Sequence, residues 1–161
     1  MRPVPFIRPA GTEDAATVVA IYVTSSNAAF RPWQPLMGVT DQRIERWAAD
    51  LARPDHHWWV AEVGAEAVGF AGVGPSRDPV SEQIGELDTI AVFPRFWRRG
   101  IGRALMARAN EQLDRDGYER AVLWTWADYP AAAGFYPAMG WSRRELYRDG
   151  GRQVSYWRTG S

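Results

Sequence analysis

Residues 98–104, Arg-Arg-Gly-Ile-Gly-Arg-Ala, put two glycines and three arginines into seven positions. Ile101, Leu105, Ala109 and Leu113 form one apolar stripe at helical spacing, so the glycines fall where a helix starts. The first turn of a helix carries unpaired N–H groups and the positive end of the helix dipole. Glycine lets an anion come close to that backbone. Arg98, Arg99 and Arg103 add mobile positive charge. The chemistry on offer is the binding of a pyrophosphate. Two other phosphate motifs fit less well. A dinucleotide fingerprint needs a third glycine at position 105, which is Leu. A P-loop needs a lysine, and all 19 basic residues of the chain are Arg.

Bulk composition narrows the field. The 161 residues suit one domain, read here as 1–161, with 46% hydrophobic and 24% charged residues. The formal net charge is zero, so no global field draws a nucleic acid, and any anionic ligand must be held locally. There is no Cys, which rules out disulfides, thiolate metal sites and a cysteine nucleophile. Without Lys there is no Schiff base. Asp55-His56-His57 invites a metal or a histidine base, but neighbouring side chains of a strand point to opposite faces and chelate poorly together. No metal is expected. No stretch reads as a membrane span or signal peptide, and a cytoplasmic location is the expectation.

The elements that would position these residues alternate. Phe6–Arg8 reads as a strand and Ala15–Tyr22 as a helix. Asn27–Gly38, with two prolines, Phe30 and Trp33, reads as a loop or broken helix. Thr40-Asp41 caps a helix that carries Ile44, Trp47, Ala48 and Leu51. Trp58–Val63 and Ala67–Val73 read as a hairpin, Gly74–Ser81 as a loop and Glu86–Phe93 as a strand. The helix from Gly100 to about Arg115 follows, then the strand Ala121–Trp126. A short helix, Ala131–Met139, and a last hairpin around Asp149-Gly150-Gly151 complete the chain. The order β-α-α-β-β-β-α-β-α-β-β describes one α/β domain around a mixed sheet.

Glu86–Pro94 followed by Trp97–Leu105 resembles the acetyl-coenzyme A motif of the GNAT superfamily of N-acetyltransferases. Its pattern is Gln/Arg-x-x-Gly-x-Gly/Ala. Phe135-Tyr136-Pro137-Ala138-Met139-Gly140-Trp141 resembles the family's second signature, and Val68-Gly69-Phe70 its third-strand Val-Gly. The resemblance covers roughly residues 5–158. It implies a mixed sheet of about seven strands flanked by about four helices, with acetyl-coenzyme A as co-substrate. Main-chain groups of Ile90, Ala91 and Val92 would pair with the pantetheine arm like an added strand. Amides from Arg98, Arg99, Gly100, Ile101, Gly102, Arg103 and Ala104 would hold the pyrophosphate. Tyr136 would protonate the departing thiolate. Two positions depart from the pattern. Trp97 stands where the family has Gln or Arg, free to pack on the neighbouring helix. Tyr129 stands where many members have Asn, and its phenol would have to make that cofactor hydrogen bond.

Acetyl transfer needs a neutral amine, whereas an alkyl ammonium has a pKa of about 10, so a base must take a proton. Glu86 matches the position of the base in several family members. Strand alternation puts Glu86, Asp88, Ile90 and Val92 on one face, and Asp88 is either a second base candidate or an attractor for a cationic acceptor. Phe30, Trp33 and Trp126 are the expected acceptor contacts, with Trp124 equally at home in the core. The implied partner is a primary amine of a small molecule attacking directly in a ternary complex. The resembled family is often homodimeric. The rival readings are a non-catalytic acyl-coenzyme A sensor or adaptor, and acetylation of a protein N-terminus.

Overall fold

The computed structural model of the protein describes residues 4–161; the first three residues of the expected 1–161 domain lie outside that description. Eleven main elements follow in order: β1 (Phe6–Pro9), α1 (Ala15–Phe30), α2 (Asp41–Leu51), β2 (His57–Val63), β3 (Glu66–Arg77), β4 (Val80–Val92), α3 (Ile101–Arg115), β5 (Arg120–Trp126), α4 (Pro130–Ala138), β6 (Ser142–Arg148) and β7 (Gln153–Thr159). The strands form one seven-stranded sheet in the order β1-β2-β3-β4-β5-β7-β6. Only β4 and β5 run parallel. The order of elements is the one expected from the apolar periodicities.

Each face of the sheet carries its own apolar cluster. Phe70, Val60 and Trp58 pack under Val18, Ile21 and Leu51 of α1 and α2. Ala71, Val73 and Leu87 pack under Ile101, Leu105, Met106, Ala109 and Leu113 of α3, joined by Ala132 of α4. Leu105 and Leu113 are fully buried, and truncating either to Ala should cost about 2–5 kcal/mol.

Two local expectations change. α1 runs on to Phe30, so the first part of 27–38 is helical. Asn27 then pins the following loop: its amide donates to the Met37 carbonyl, and its carbonyl accepts from the Met37 N–H, each at 2.9 Å. Gly74–Ser81 is not a loop. β3 and β4 continue through it as a hairpin, with Arg77 opposite Val80. Ladder hydrogen bonds with an antiparallel neighbour outweigh the weak strand preference of Gly, Pro and Ser there.

The centre of the sheet is open. Ile84, Gly85 and Glu86 pair with Arg120, Ala121 and Val122, and the β4–β5 ladder stops there. Beyond it, among the described residues, 87–92 of β4 and 123–126 of β5 are unpaired on the sides they turn to each other. The two parallel strands part and leave a slot that points at the start of α3.

Candidate active site

β4 reaches this slot with a bulge. Val73 lies opposite Leu87 and Gly72 opposite Thr89, leaving Asp88 as the extra residue. Each bulge shifts the pleat by one residue. Glu86 and Asp88 share the α1/α2 face, but Ile90 and Val92 are carried to the α3 face, where Ile90 lies opposite Ala71 and Val92 is buried beside Leu105 and Gly69. The expectation that all four share one face is therefore corrected. Plain alternation assumes an unbroken pleat.

Phe93 donates its N–H to the Val68 carbonyl, which fixes the ladder parity. Ala91, two residues earlier and opposite Phe70, turns its main chain to β3, while Ile90 and Val92 turn theirs to the slot. Of the three strand residues named from sequence, Ile90 and Val92 are thus the ones with N–H groups free to meet a ligand.

The slot ends at the head of α3. Gly100 adopts φ +86, and Arg98, unusually for a residue with a side chain, adopts φ +62. A side chain at 100 would meet nothing within 4 Å, so the left-handed backbone, not crowding, calls for glycine there. Ala104 is the first residue to bond back into the helix, to the Gly100 carbonyl at 3.1 Å. The amides of Ile101, Gly102 and Arg103 form the open first turn. Arg98, Arg99 and Arg103 stand exposed around them. Backbone donors, dipole and mobile cations converge on one spot.

An aromatic wall stands at the end of β5, beyond the point where the two strands part. Phe30 meets Tyr129 edge-on at 5.0 Å between ring centroids and Trp126 at 6.5 Å, and Trp33 meets Tyr129 at 6.2 Å. The structure thus brings Phe30, Trp33 and Trp126 together and adds Tyr129, named from sequence as a cofactor contact, to the same wall. Trp124 serves differently: its indole N–H donates to the Asp78 carbonyl at 2.7 Å and braces the β3–β4 hairpin. Tyr136 is half-buried against Tyr156 and Phe135, each ring 5.3 Å away. Burial first, then the neighbouring Tyr129 and Tyr156, push its hydroxyl well above the ordinary phenol value, so it stays protonated.

The two carboxylates have been set apart chemically. Glu86 is buried and accepts the Arg77 N–H at 2.6 Å. Burial raises its pKa, outweighing that hydrogen bond, and Asp88 adds to the rise. Burial would also raise Asp88, but His56 and Arg77 beside it prevail and hold it below the usual carboxylate range. Arg77 Nε lies 3.2 Å and His56 Nε2 3.7 Å from Asp88 Oδ2. One carboxylate is poised to take a proton; the other stays charged.

The family model described as acetyltransferase (GNAT) matches residues 19–141. The chain belongs to the GNAT family. It is 27% identical over 156 residues to phosphinothricin N-acetyltransferase of Streptomyces viridochromogenes, a match that covers 94% of this chain and 81% of that protein. It is 36% identical over 100 residues to N-alpha-acetyltransferase RimI of Mycobacterium tuberculosis, covering 62% and 60%. Across four such relatives the chain spans between 38% and 81% of their length. Among solved structures, PaiA N-acetyltransferase of Thermoplasma acidophilum in complex with coenzyme A superposes with a TM-score of 0.78 at 16% identity, covering 97% of this chain and 99% of that one.

Two features of this GNAT chain escaped the sequence. Trp97, the departure at the head of the glycine loop, donates its indole N–H to the Val92 carbonyl at 2.7 Å and ties the loop to the end of β4. His56 and Arg77 join the carboxylates. His56 is buried and His57 exposed, as strand alternation requires. The sequence showed the pair but not the partner of the buried ring, which lies on a distant strand. Among the described residues no cluster of three or more His, Asp or Glu side chains is placed to hold a metal ion, and no helix is long and apolar enough to cross a membrane.

Proposed function

We propose that the chain moves an acetyl group from acetyl-coenzyme A to a primary amine of a small molecule, by direct attack in a ternary complex. The observation that carries this reading is the slot between β4 and β5. It offers the Ile90 main chain and the Val92 N–H to a pantetheine amide, the first turn of α3 to a pyrophosphate, and Glu86 and Asp88 to an ammonium. Asp88 attracts the cation, and Glu86, with its raised pKa, takes the proton that frees the nitrogen lone pair. The nitrogen attacks the thioester carbon; as the carbonyl reforms the C–S bond breaks and the nitrogen sheds its second proton, the one that ends on the coenzyme A sulfur. A thiol ionises at about 8.5, below the raised Tyr136 phenol, so Tyr136 acts first by donating a hydrogen bond to the developing thiolate. The proton follows only as far as the sulfur is desolvated. The aromatic wall of Phe30, Trp33, Trp126 and Tyr129 favours an amine with apolar surface. The chain acts as one domain over 1–161.

Coenzyme A should raise the melting temperature by mass action, by about 2.7 kcal/mol of stability at a hundred-fold excess over Kd. Acetyl-coenzyme A should release free thiol in the presence of an amine from a panel of amino acids, polyamines, arylalkylamines and peptide N-termini. Stabilisation without thiol release against any amine replaces the enzyme by an acyl-coenzyme A sensor. Turnover confined to peptides moves the acceptor to a protein N-terminus, the reaction that the name of the RimI relative describes.

A further inference from the structure

Behind Asp88 lies a line of titratable groups that the transfer reaction does not use. The His56 ring rests on Gly74 of β3, where a Cβ would come within 2.6 Å of it, so only a glycine strand admits the ring. Its Nδ1 lies 2.7 Å from Asp55 Oδ1 and its Nε2 3.7 Å from Asp88 Oδ2. The Arg77 guanidinium lies 3.3 Å from Nε2, a contact that suits a ring with a free lone pair there and its hydrogen on Nδ1. The His56 side chain is the most buried of the three at 1% exposed, between Asp88 at 15% and Asp55 at 44%. Asp50 and Arg77 from α2 and β3, and Arg53 beside Asp55, complete the charged surroundings. Trp58 closes the apolar side, stacked at 6.1 Å.

We propose that His56 is a positioning residue that acts through Asp88: seated on Gly74 and anchored to Asp55, it holds the Asp88 carboxylate in place beneath the acceptor's ammonium. This rests on the transfer reading above. The ammonium N–H bond breaks to Glu86, while Asp88 keeps its negative charge opposite the cation; neither oxidant nor metal is required. Burial lowers the affinity of His56 for a proton, but its pairing with Asp88 and Asp55 outweighs this and leaves its pKa above the ordinary value.

The chain has two histidines, so the ring signals of histidine-labelled protein are assigned by His57→Gln alone. His56 should titrate with a midpoint above 6.5, and Asp88→Asn should lower it. A ring that does not titrate, or a midpoint indifferent to Asp88→Asn, overturns the proposal without reference to activity. With the best amine, His56→Ala should lower kcat/KM about ten-fold or more and leave KM for acetyl-coenzyme A within about two-fold. Added imidazole should restore the rate, more so as the pKa of the substituted imidazole rises. A folded variant that still binds coenzyme A but gains nothing from any imidazole reduces His56 to a packing residue. Failure of the wild-type chain to release thiol sinks the transfer reading instead, and the Asp88-dependent midpoint then judges the coupling by itself.

Discussion

At the scale of the residue, the site separates groups of the same type by their surroundings. Glu86 and Asp88 differ by one methylene and two positions, yet burial raises one and a histidine and an arginine lower the other. A base with a raised pKa is active only once deprotonated, so kcat/KM should climb as pH rises through the Glu86 value. Glu86→Gln should flatten that limb, and an unaltered profile would clear Glu86 of the role. Tyr136→Phe removes the hydrogen bond to sulfur and should lower kcat by about ten-fold or more with little change in KM. The opposite split would move Tyr136 into binding. These proposed roles were partly legible in sequence, because the resemblance to the family's motifs pointed to Glu86 and Tyr136 and alternation put Asp88 on the face of Glu86. His56 was not legible: a single sequence shows that it alternates with His57 but not which strand lies beneath it.

At the scale of the element, the glycine loop is a backbone device. Gly100 holds φ +86 with open space around it. Gly100→Val forces a β-branched side chain into the left-handed region, which should cost about 1–2 kcal/mol and weaken coenzyme A binding more than Gly102→Ala does. At Gly102 a Cβ finds only ordinary contact with Phe135 at 3.6 Å. Comparable losses of affinity at the two positions would contradict this division of labour. Trp97→Phe keeps the ring and removes the bond to the Val92 carbonyl. It should loosen the loop, raising KM for acetyl-coenzyme A while kcat holds; an unchanged KM would make the indole bond incidental. Helices, strands and their order were readable from apolar period and capping residues, and Thr40 does cap α2 by accepting the Arg43 N–H at 3.1 Å. The bulge at Asp88 was not readable. One extra residue in a strand leaves no mark on hydrophobic alternation that a polar Asp-Thr pair could reveal, and its position is set by pairing with Gly72 and Val73.

At the scale of the whole molecule, two hairpins from different parts of the chain meet over the wide end of the slot. Arg148 of β6 donates to Asp78 at 3.0 Å and lies over the Trp124 ring at 4.6 Å, while Trp124 holds the Asp78 carbonyl. The β3–β4 tip, the β6–β7 hairpin and β5 are therefore tied together at Asp78. The aromatic wall joins the end of α1 and its pinned loop, through Phe30 and Trp33, to Trp126 of β5 and Tyr129.

The parting of β4 from β5 also has a consequence for exchange with solvent. It is an interior strand edge, with amide hydrogens that nothing in the sheet protects. Amides at 90 and 92 should exchange quickly with deuterium in the free protein and slowly once coenzyme A is bound, while Ala91 between them, committed to β3, stays slow in both. A uniform rate along 90–92 would mean that the ladder parity differs from the one the Phe93–Val68 bond dictates. An unsheathed edge is also what strands of other molecules seek. The bound coenzyme would then be a sheath as well as a substrate, and the chain should be most prone to associate when it is empty.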